Sequence, residues 1–343
     1  MCRRPGMVTS LVSLECSRRP PPHNASGLPD GSERGGRGPE RTKLCQHRVA
    51  GGDLIQYSAF RTWQAMQKRS NNSILALSVG AHHIQQDMNQ APDPKIRAST
   101  LLNAVPQTER LDITAVDAAK IFGSAAADMA ILAIPQVMAL HIELCVGTIV
   151  ECQRFPPLIT KQSAPGGWSV PALHETLRFG KAETVADELL GFCLTWRNAM
   201  MHGAGKVNKK LVNRWNRLSP AAVARWESLA GRPFTYTKVD MPPTLGWPEI
   251  MATLAVTKES AYEINGRVRG ALTRAQWAEV IARDYRDATV VGRRRFNAAP
   301  AGHGLTGPDL DRVVQRLQGH ALTYYRDLAM TPAELRGGRD AVR

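Results

Sequence analysis

Arg197, Asn198 and His202 fall within one short run, Arg197-Asn198-Ala199-Met200-Met201-His202-Gly203. A permanent guanidinium, an amide and an imidazole at that spacing suit the chemistry of a phosphodiester. Cleaving RNA without a metal needs a group to take the 2′-hydroxyl proton, a group to protonate the leaving oxygen, and charge neutralisation at phosphorus. An imidazole changes charge near neutral pH, so His202 can serve as acid or base. The planar fork of Arg197 can grip two phosphate oxygens and stabilise a dianionic phosphorane. Asn198 can orient the histidine or bond a phosphate oxygen. The products of such a reaction are a 2′,3′-cyclic phosphate and a 5′-hydroxyl. Singly, each residue also has a structural use: a histidine at a helix C-terminus is favoured by the dipole, an arginine can be plain surface, and an asparagine can bond loop backbone. The ordered trio followed by glycine is what points to a site.

The element that must position them is a helix. Val185, Leu189, Phe192, Trp196 and Ala199 recur at steps of three and four, the apolar stripe of an amphipathic helix. Gly203 supplies a residue that tolerates a left-handed backbone just past the helix end. Arg-Asn followed after three residues by His-Gly resembles the motif of the HEPN superfamily (higher eukaryotes and prokaryotes nucleotide-binding). That motif is an arginine, four to six residues, then a histidine, commonly with Asn, Asp or His directly after the arginine. The resemblance covers Arg197, Asn198, His202 and the helix carrying them. It implies an all-α fold, a HEPN-like helical bundle, that dimerises so that two motifs face each other across a cleft. One chain offers one histidine, so a homodimer would supply acid and base separately. The resemblance further implies a metal-independent endoribonuclease without cofactor, acting in a toxin or phage-defence role, with RNA and an antitoxin or regulatory protein as partners. Other members only bind RNA or serve as scaffolds. Members paired with nucleotidyltransferase antitoxins often carry a tyrosine soon after the histidine; here none occurs until Tyr236, which argues against that mode of neutralisation.

The stretch after the motif supports an RNA surface. From Arg197 to Arg225 the charged residues are Arg197, Lys206, Lys209, Lys210, Arg214, Arg217 and Arg225, without one carboxylate. Lys206, Lys209, Lys210, Arg214 and Arg217 are the candidate RNA-binding cations, each adding salt-dependent affinity without sequence preference; a solvated helix face would have the same composition. Trp215 can stack on a base or pack in the core. Glu143, on a candidate bundle helix, can reach the cleft and orient His202, or bond a partner on its own or a neighbouring helix. Gly203-Ala204-Gly205-Lys206 evokes a phosphate loop, but Met200 stands where its first glycine belongs and Val207 replaces Ser/Thr. Asp117 to Gly123 resembles the first helix and turn of a helix-turn-helix, which would make the chain a helical DNA-binding regulator. The apolar Ser124–Leu132 stretch that follows suits groove reading poorly.

The whole chain sets the bounds. Its 343 residues are 43% hydrophobic, enough for a core across most of the length. A formal net charge of +14 points to an anionic partner, nucleic acid or an anionic surface. The cysteines, at 2, 16, 45, 145, 152 and 193, form no CxxC pair and show no histidine spacing suited to zinc, so no metal is expected and a reducing compartment is. The apolar run Leu11–Leu14 is too short for a signal peptide. The best membrane candidate, 129–150, contains Pro135, Gln136, His141 and Glu143 and reads as a buried bundle helix broken at Pro135. The expectation is a soluble, cytoplasmic protein with no membrane partner.

Four segments follow. Residues 1–52, rich in Arg, Pro, Gly and Ser, read as a disordered basic tail. Residues 53–113 read as an N-terminal helical extension, with Ile55, Phe60, Trp63 and Met66 on a first short helix that ends at Asn71-Asn72. Residues 114–290 hold the HEPN-like bundle: a capping start at Thr114, the motif helix after Ala164–Gly167, a Ser219-Pro220 start closed by Gly231, a short strand at Phe234–Thr237, and starts at Trp247-Pro248 and Thr273-x-x-Gln276. Residues 291–343 hold a basic linker, from Arg293-Arg294-Arg295 to Gly304, and a final amphipathic helix marked by Leu310, Val313, Val314, Leu317, Ala321, Tyr324 and Leu328.

Overall fold

Capping chemistry sets the helix starts. In the computed structural model, which describes residues 54–103, 105, 107–110, 112–160, 164–202, 206–233, 239, 245–288 and 308–342, Thr114 accepts from the Asp117 amide and opens α3 (Ala115–Cys152). Ser219 accepts from the Ala222 amide ahead of Pro220 and opens α7 (Pro220–Ala230), and Gly231 closes it at φ 71°. Thr273 and Gln276 cap each other reciprocally at the start of α9 (Arg274–Ala288). Around these stand α1 (Ser58–Asn89), α2 (Ala98–Leu101), α4 (Val170–Leu177), α5 (Val185–His202), α6 (Lys209–Asn216), α8 (Trp247–Ala271), α10 (Pro308–Tyr324) and α11 (Pro332–Val342). Apart from one isolated pairing of Arg97 with Thr114, the described residues contain no β-structure. The protein is all-α. The basic tail, Gly203, the Phe234–Thr237 strand and the Arg293–Gly304 linker lie outside the described residues.

Two apolar clusters organise the bundle. One joins α1, α3, α8, α9, α10 and α11 through Phe60, Leu144, Ile264, Trp277, Leu317 and Leu335. The other surrounds α5 with α3, α7 and α8 through Met138, Phe192, Trp196, Trp226 and Ile250. Phe192, Trp196 and Trp226 form a ring triangle with centroids 5.3–5.8 Å apart, each pair adding about 0.5–1.5 kcal/mol beyond its buried area. By length and hydropathy α3 can cross a membrane, but half of its most apolar window is buried against its neighbours.

Three sequence expectations and one weak alternative are corrected here. The first helix is not short: α1 runs through Asn71-Asn72, whose exposed amides cost only a few tenths of a kcal/mol in propensity, while Ile74 beyond them is buried. Pro135 does not break α3; Ala133 and Ile134 before it and Val137 and Met138 after it pack in the same cluster, offsetting the roughly 3 kcal/mol that an interior proline costs. The helix-turn-helix is absent, because Asp117–Gly123 is continuous helix. Gly123 serves close approach instead, since a Cβ there would come 2.8 Å from the Gln85 side chain of α1. The last amphipathic helix stops at Tyr324, not beyond Leu328. A 3₁₀ turn follows at Arg326–Leu328, then Ala329 at φ 45°, and then α11, which a reciprocal Thr331–Glu334 cap begins. The Thr-Pro-Ala-Glu spacing at 331–334 is the capping-box signal of this start. A Cβ at Gly338 would overlap the Ala278 backbone, so α11 lies directly against α9.

A carboxylate fastens the N-terminal helix to the C-terminal ones. Asp284 of α9 accepts from both Arg61 Nη atoms of α1 at 2.8 and 2.7 Å, from Tyr325 Oη at 2.6 Å, and contacts His320 Nε2 of α10 at 3.1 Å. Burial raises the Asp284 carboxyl, but the hydrogen bonds from His320, Arg61 and Tyr325 outweigh it and hold the group well below the usual carboxylate range. Because the folded value is depressed, the stabilisation is fully present above the unfolded-state value of about 3.9 and is lost as pH falls through the folded one. Asp284→Asn should therefore lower the urea midpoint by a constant amount between pH 7 and pH 5. Below about pH 4 the gap to wild type should narrow; a gap that widens there would contradict the assigned sign.

Candidate functional site

The motif helix is pinned at its start and open at its end. The Thr184 amide donates to Asp187 Oδ2 at 3.1 Å and the Asp187 amide to Thr184 Oγ1 at 3.3 Å, a reciprocal cap on α5. The same carboxylate accepts from Arg267 of α8 at 2.7 and 3.3 Å, with both side chains over nine-tenths buried. Arg267 also reaches Glu263, which accepts from Thr184 Oγ1. Burial pushes the Asp187 carboxyl up; the hydrogen bonds from Arg267 and Thr184 prevail and hold it low. One residue on, Glu188 Oε2 accepts from the Ser219 amide and fixes the start of α7.

Downstream, Leu189, Phe192, Trp196 and Ala199 are buried as their spacing predicts. That orientation turns Thr195, Asn198 and His202, at steps of three and four, toward a different face. There they line an open pocket of about 660 Å³ together with Asn208, Lys210, Asn213, Arg214 and Arg217 of the α6 region. His202 and Asn198 are exposed. Arg197 is not among the lining side chains. It is half-buried, its Nη1 donates to Asn198 Oδ1 at 3.0 Å, and its Nε is buried with no hydrogen-bond partner among the described residues. A separation of five residues rotates Arg197 and His202 well apart on the helix, whereas Asn198 and His202 share a face.

The cationic wall is more mixed than the sequence run suggested. Arg214 lies over α5, where a Cβ at Gly191 would overlap its guanidinium. Its Nη2 donates to the Glu188 carbonyl at 3.3 Å and faces Glu183 at 3.8 Å. Arg225 pairs with Glu259 of α8. These carboxylates come from elsewhere in the chain, Glu183 from the loop before α5 and Glu259 from α8, which is why a carboxylate-free stretch did not yield an unpaired surface. Lys206, Lys209, Lys210 and Arg217 are exposed, but only Lys210 and Arg217 of these line the pocket. Trp215 is half-buried with its ring 5.3 Å from Phe192, so it packs rather than standing free to stack. Glu143 is exposed on α3, outside the lining side chains, and has no contact with His202 among the described residues. The amides of Thr195's neighbours in the pocket were missed: Asn208, which caps α6 by accepting from the Leu211 amide at 2.9 Å, and Asn213. Only Asn208 had a sequence signal, its place before a helical run.

A second polar cluster joins α3 to α4. His141, Cys145 and His174 place their donor atoms within 4.8 Å of one another. No family model, curated protein or solved structure matches the chain.

If the Asp187–Arg267 pair anchors α5, Arg267→Ala leaves a buried, unpaired carboxylate and should cost about 3–5 kcal/mol in urea unfolding. A change under about 0.5 kcal/mol would remove the anchoring role.

Proposed function

We propose that the chain is a metal-independent endoribonuclease of the HEPN type, acting as a homodimer on RNA. The observation that carries this reading is the placement of Asn198 and His202 side by side on the last turn of α5, in an open pocket whose far wall holds Lys210, Arg214 and Arg217. In this reading the exposed cations bind the RNA backbone and His202 exchanges the proton of the 2′-hydroxyl or of the leaving oxygen. Arg197 swings its Nη groups from Asn198 onto the phosphorane, and Asn198 then turns to His202 or to a phosphate oxygen. A second copy of the motif provides the other proton-transfer group. The setting is a cytoplasmic toxin or defence role under the control of an antitoxin or regulatory protein.

One observation favours a second reading, a non-catalytic RNA-binding or scaffold module. Arg197 is engaged with Asn198 and stands outside the pocket lining, an arrangement that serves binding as well as turnover.

Labelled RNA incubated without added metal, and again in EDTA with circular dichroism to verify the fold, separates the two. The enzyme reading expects cyclic-phosphate ends and a fall of about 10²–10⁴-fold in rate for His202→Ala and for Arg197→Ala. Binding without cleavage, indifferent to His202→Ala, would establish the module instead. In both, Lys210→Gln and Arg217→Gln should each flatten the dependence of log affinity on log salt by about 0.7. An unchanged slope would place the RNA elsewhere.

A further inference from the structure

We propose that His141, Cys145 and His174 bind one zinc ion, with the fourth coordination position facing the pocket between α4 and α5. His141 and Cys145 are four residues apart on α3 and therefore share a face, and His174 comes from α4, so the three ligands bridge two helices. Their donor atoms lie within 4.8 Å of one another. The rings of the two histidines stand 5.5 Å apart, tilted by 56°. His141 and Cys145 have no solvent exposure.

Two buried ring nitrogens in this cluster have no partner: His141 Nδ1 and His174 Nε2. A buried polar atom without a hydrogen bond is costly, and two such atoms on the histidines of one cluster with a thiol call for a shared ligand. On the other side of the His141 ring, Nε2 lies 3.5 Å from Ser260 Oγ of α8. With Nε2 engaged by α8, Nδ1 is the ring nitrogen left without a partner, and a hydrogen bond to the far nitrogen is the outer-shell arrangement that orients histidine ligands. Nitrogen and thiolate donors at bond lengths of about 2.0–2.3 Å around a tetrahedral ion stand about 3.3–3.6 Å apart, so side-chain rotations of the order of 1 Å close the site.

The donor set selects the ion. Two imidazoles and one thiolate suit a borderline cation such as zinc and disfavour magnesium or calcium, which take oxygen ligands. On binding, the Cys145 thiol forms the zinc–sulfur bond and its proton leaves to solvent. Asp187 lines the same pocket as His174, but its oxygens are held by Arg267 and Thr184. The fourth position therefore falls to water or an exchangeable ligand. His174 lines a pocket of about 490 Å³ with Asp187, Gly191, Thr195, Asn198 and Arg214, which provides the path of entry. This inference does not rest on the ribonuclease reading.

The test uses the full-length, untagged chain stripped with a chelator and titrated with Co²⁺ as a spectroscopic probe, then with Zn²⁺ in competition. One equivalent should bind with the ligand-field bands of a tetrahedral ion and a thiolate-to-cobalt charge-transfer band, and Zn²⁺ should displace it. Cys145→Ser should lose the charge-transfer band, and zinc should raise the melting temperature of the wild type while leaving Cys145→Ser and His174→Gln unmoved. His174 is the least buried of the three, which makes its variant the safer one for folding. No cobalt bands in the wild type, unchanged bands in Cys145→Ser, or uptake of Cu⁺ with none of Co²⁺ or Zn²⁺ would each overturn the proposal.

Discussion

The arrangement around the candidate site depends on the buried contact between Asp187 and Arg267. The carboxylate does two jobs at once: it closes the cap on α5 and accepts from a guanidinium of α8. A buried ion pair offsets its desolvation only when its geometry is good and its remaining donors and acceptors are occupied. Here the Thr184 amide donates to the carboxylate and Glu263 accepts from the guanidinium. The consequence is positional. With the first turn of α5 fixed against α8, helical periodicity sets every later side chain, and Phe192 and Trp196 enter the aromatic cluster while Thr195, Asn198 and His202 turn to the pocket.

The two ends of α5 thus separate stability from chemistry. Its start is buried, paired and capped; its last turn carries exposed polar groups beside an open pocket. A helix C-terminus presents partial negative charge and by itself disfavours a phosphate. The α6 cations supply the opposing field: Lys210, Arg214 and Arg217 face the α5 terminus across the pocket. Arg214, tied to the Glu188 carbonyl and seated on Gly191, is the fixed member of that wall. Lys210 and Arg217 are exposed and free to follow a ligand.

Local signals were the legible ones. The apolar stripe of α5, the caps at Thr114, Ser219 and Thr273, and the left-handed Gly231 are set within a few residues of chain, and the structure has them where the spacing places them. What the sequence could not show is set by contacts distant in the chain. Pro135 and Asn71-Asn72 read as breaks because local propensity favours breaks there; burial of Ile134, Val137 and Ile74 against other helices overrides it. The basic run after the motif holds no carboxylate of its own, and its partners Glu183 and Glu259 lie outside it in the chain. At the site, spacing placed His202 and Asn198 on one face, yet it could not indicate that Arg197 would bond Asn198 instead of entering the pocket.

The cluster of His141, Cys145 and His174 was hidden for a related reason. Zinc ligands announce themselves in sequence when two close pairs stand at fixed spacing. Here one pair sits a helical turn apart within an apolar helix, where a histidine and a cysteine read as core, and the third ligand comes from α4, a two-turn helix whose apolar spacing, Val170, Leu173 and Leu177, marks packing and not a ligand. Only the packing of α4 on α3 brings the orphaned nitrogens together. The same packing makes His174 and Asn198 walls of one pocket, and Thr195, Asn198 and Arg214 border both this pocket and the one at His202. The two candidate sites are thus adjacent in their walls and separate in their donors: none of His141, Cys145 and His174 lines the pocket at His202.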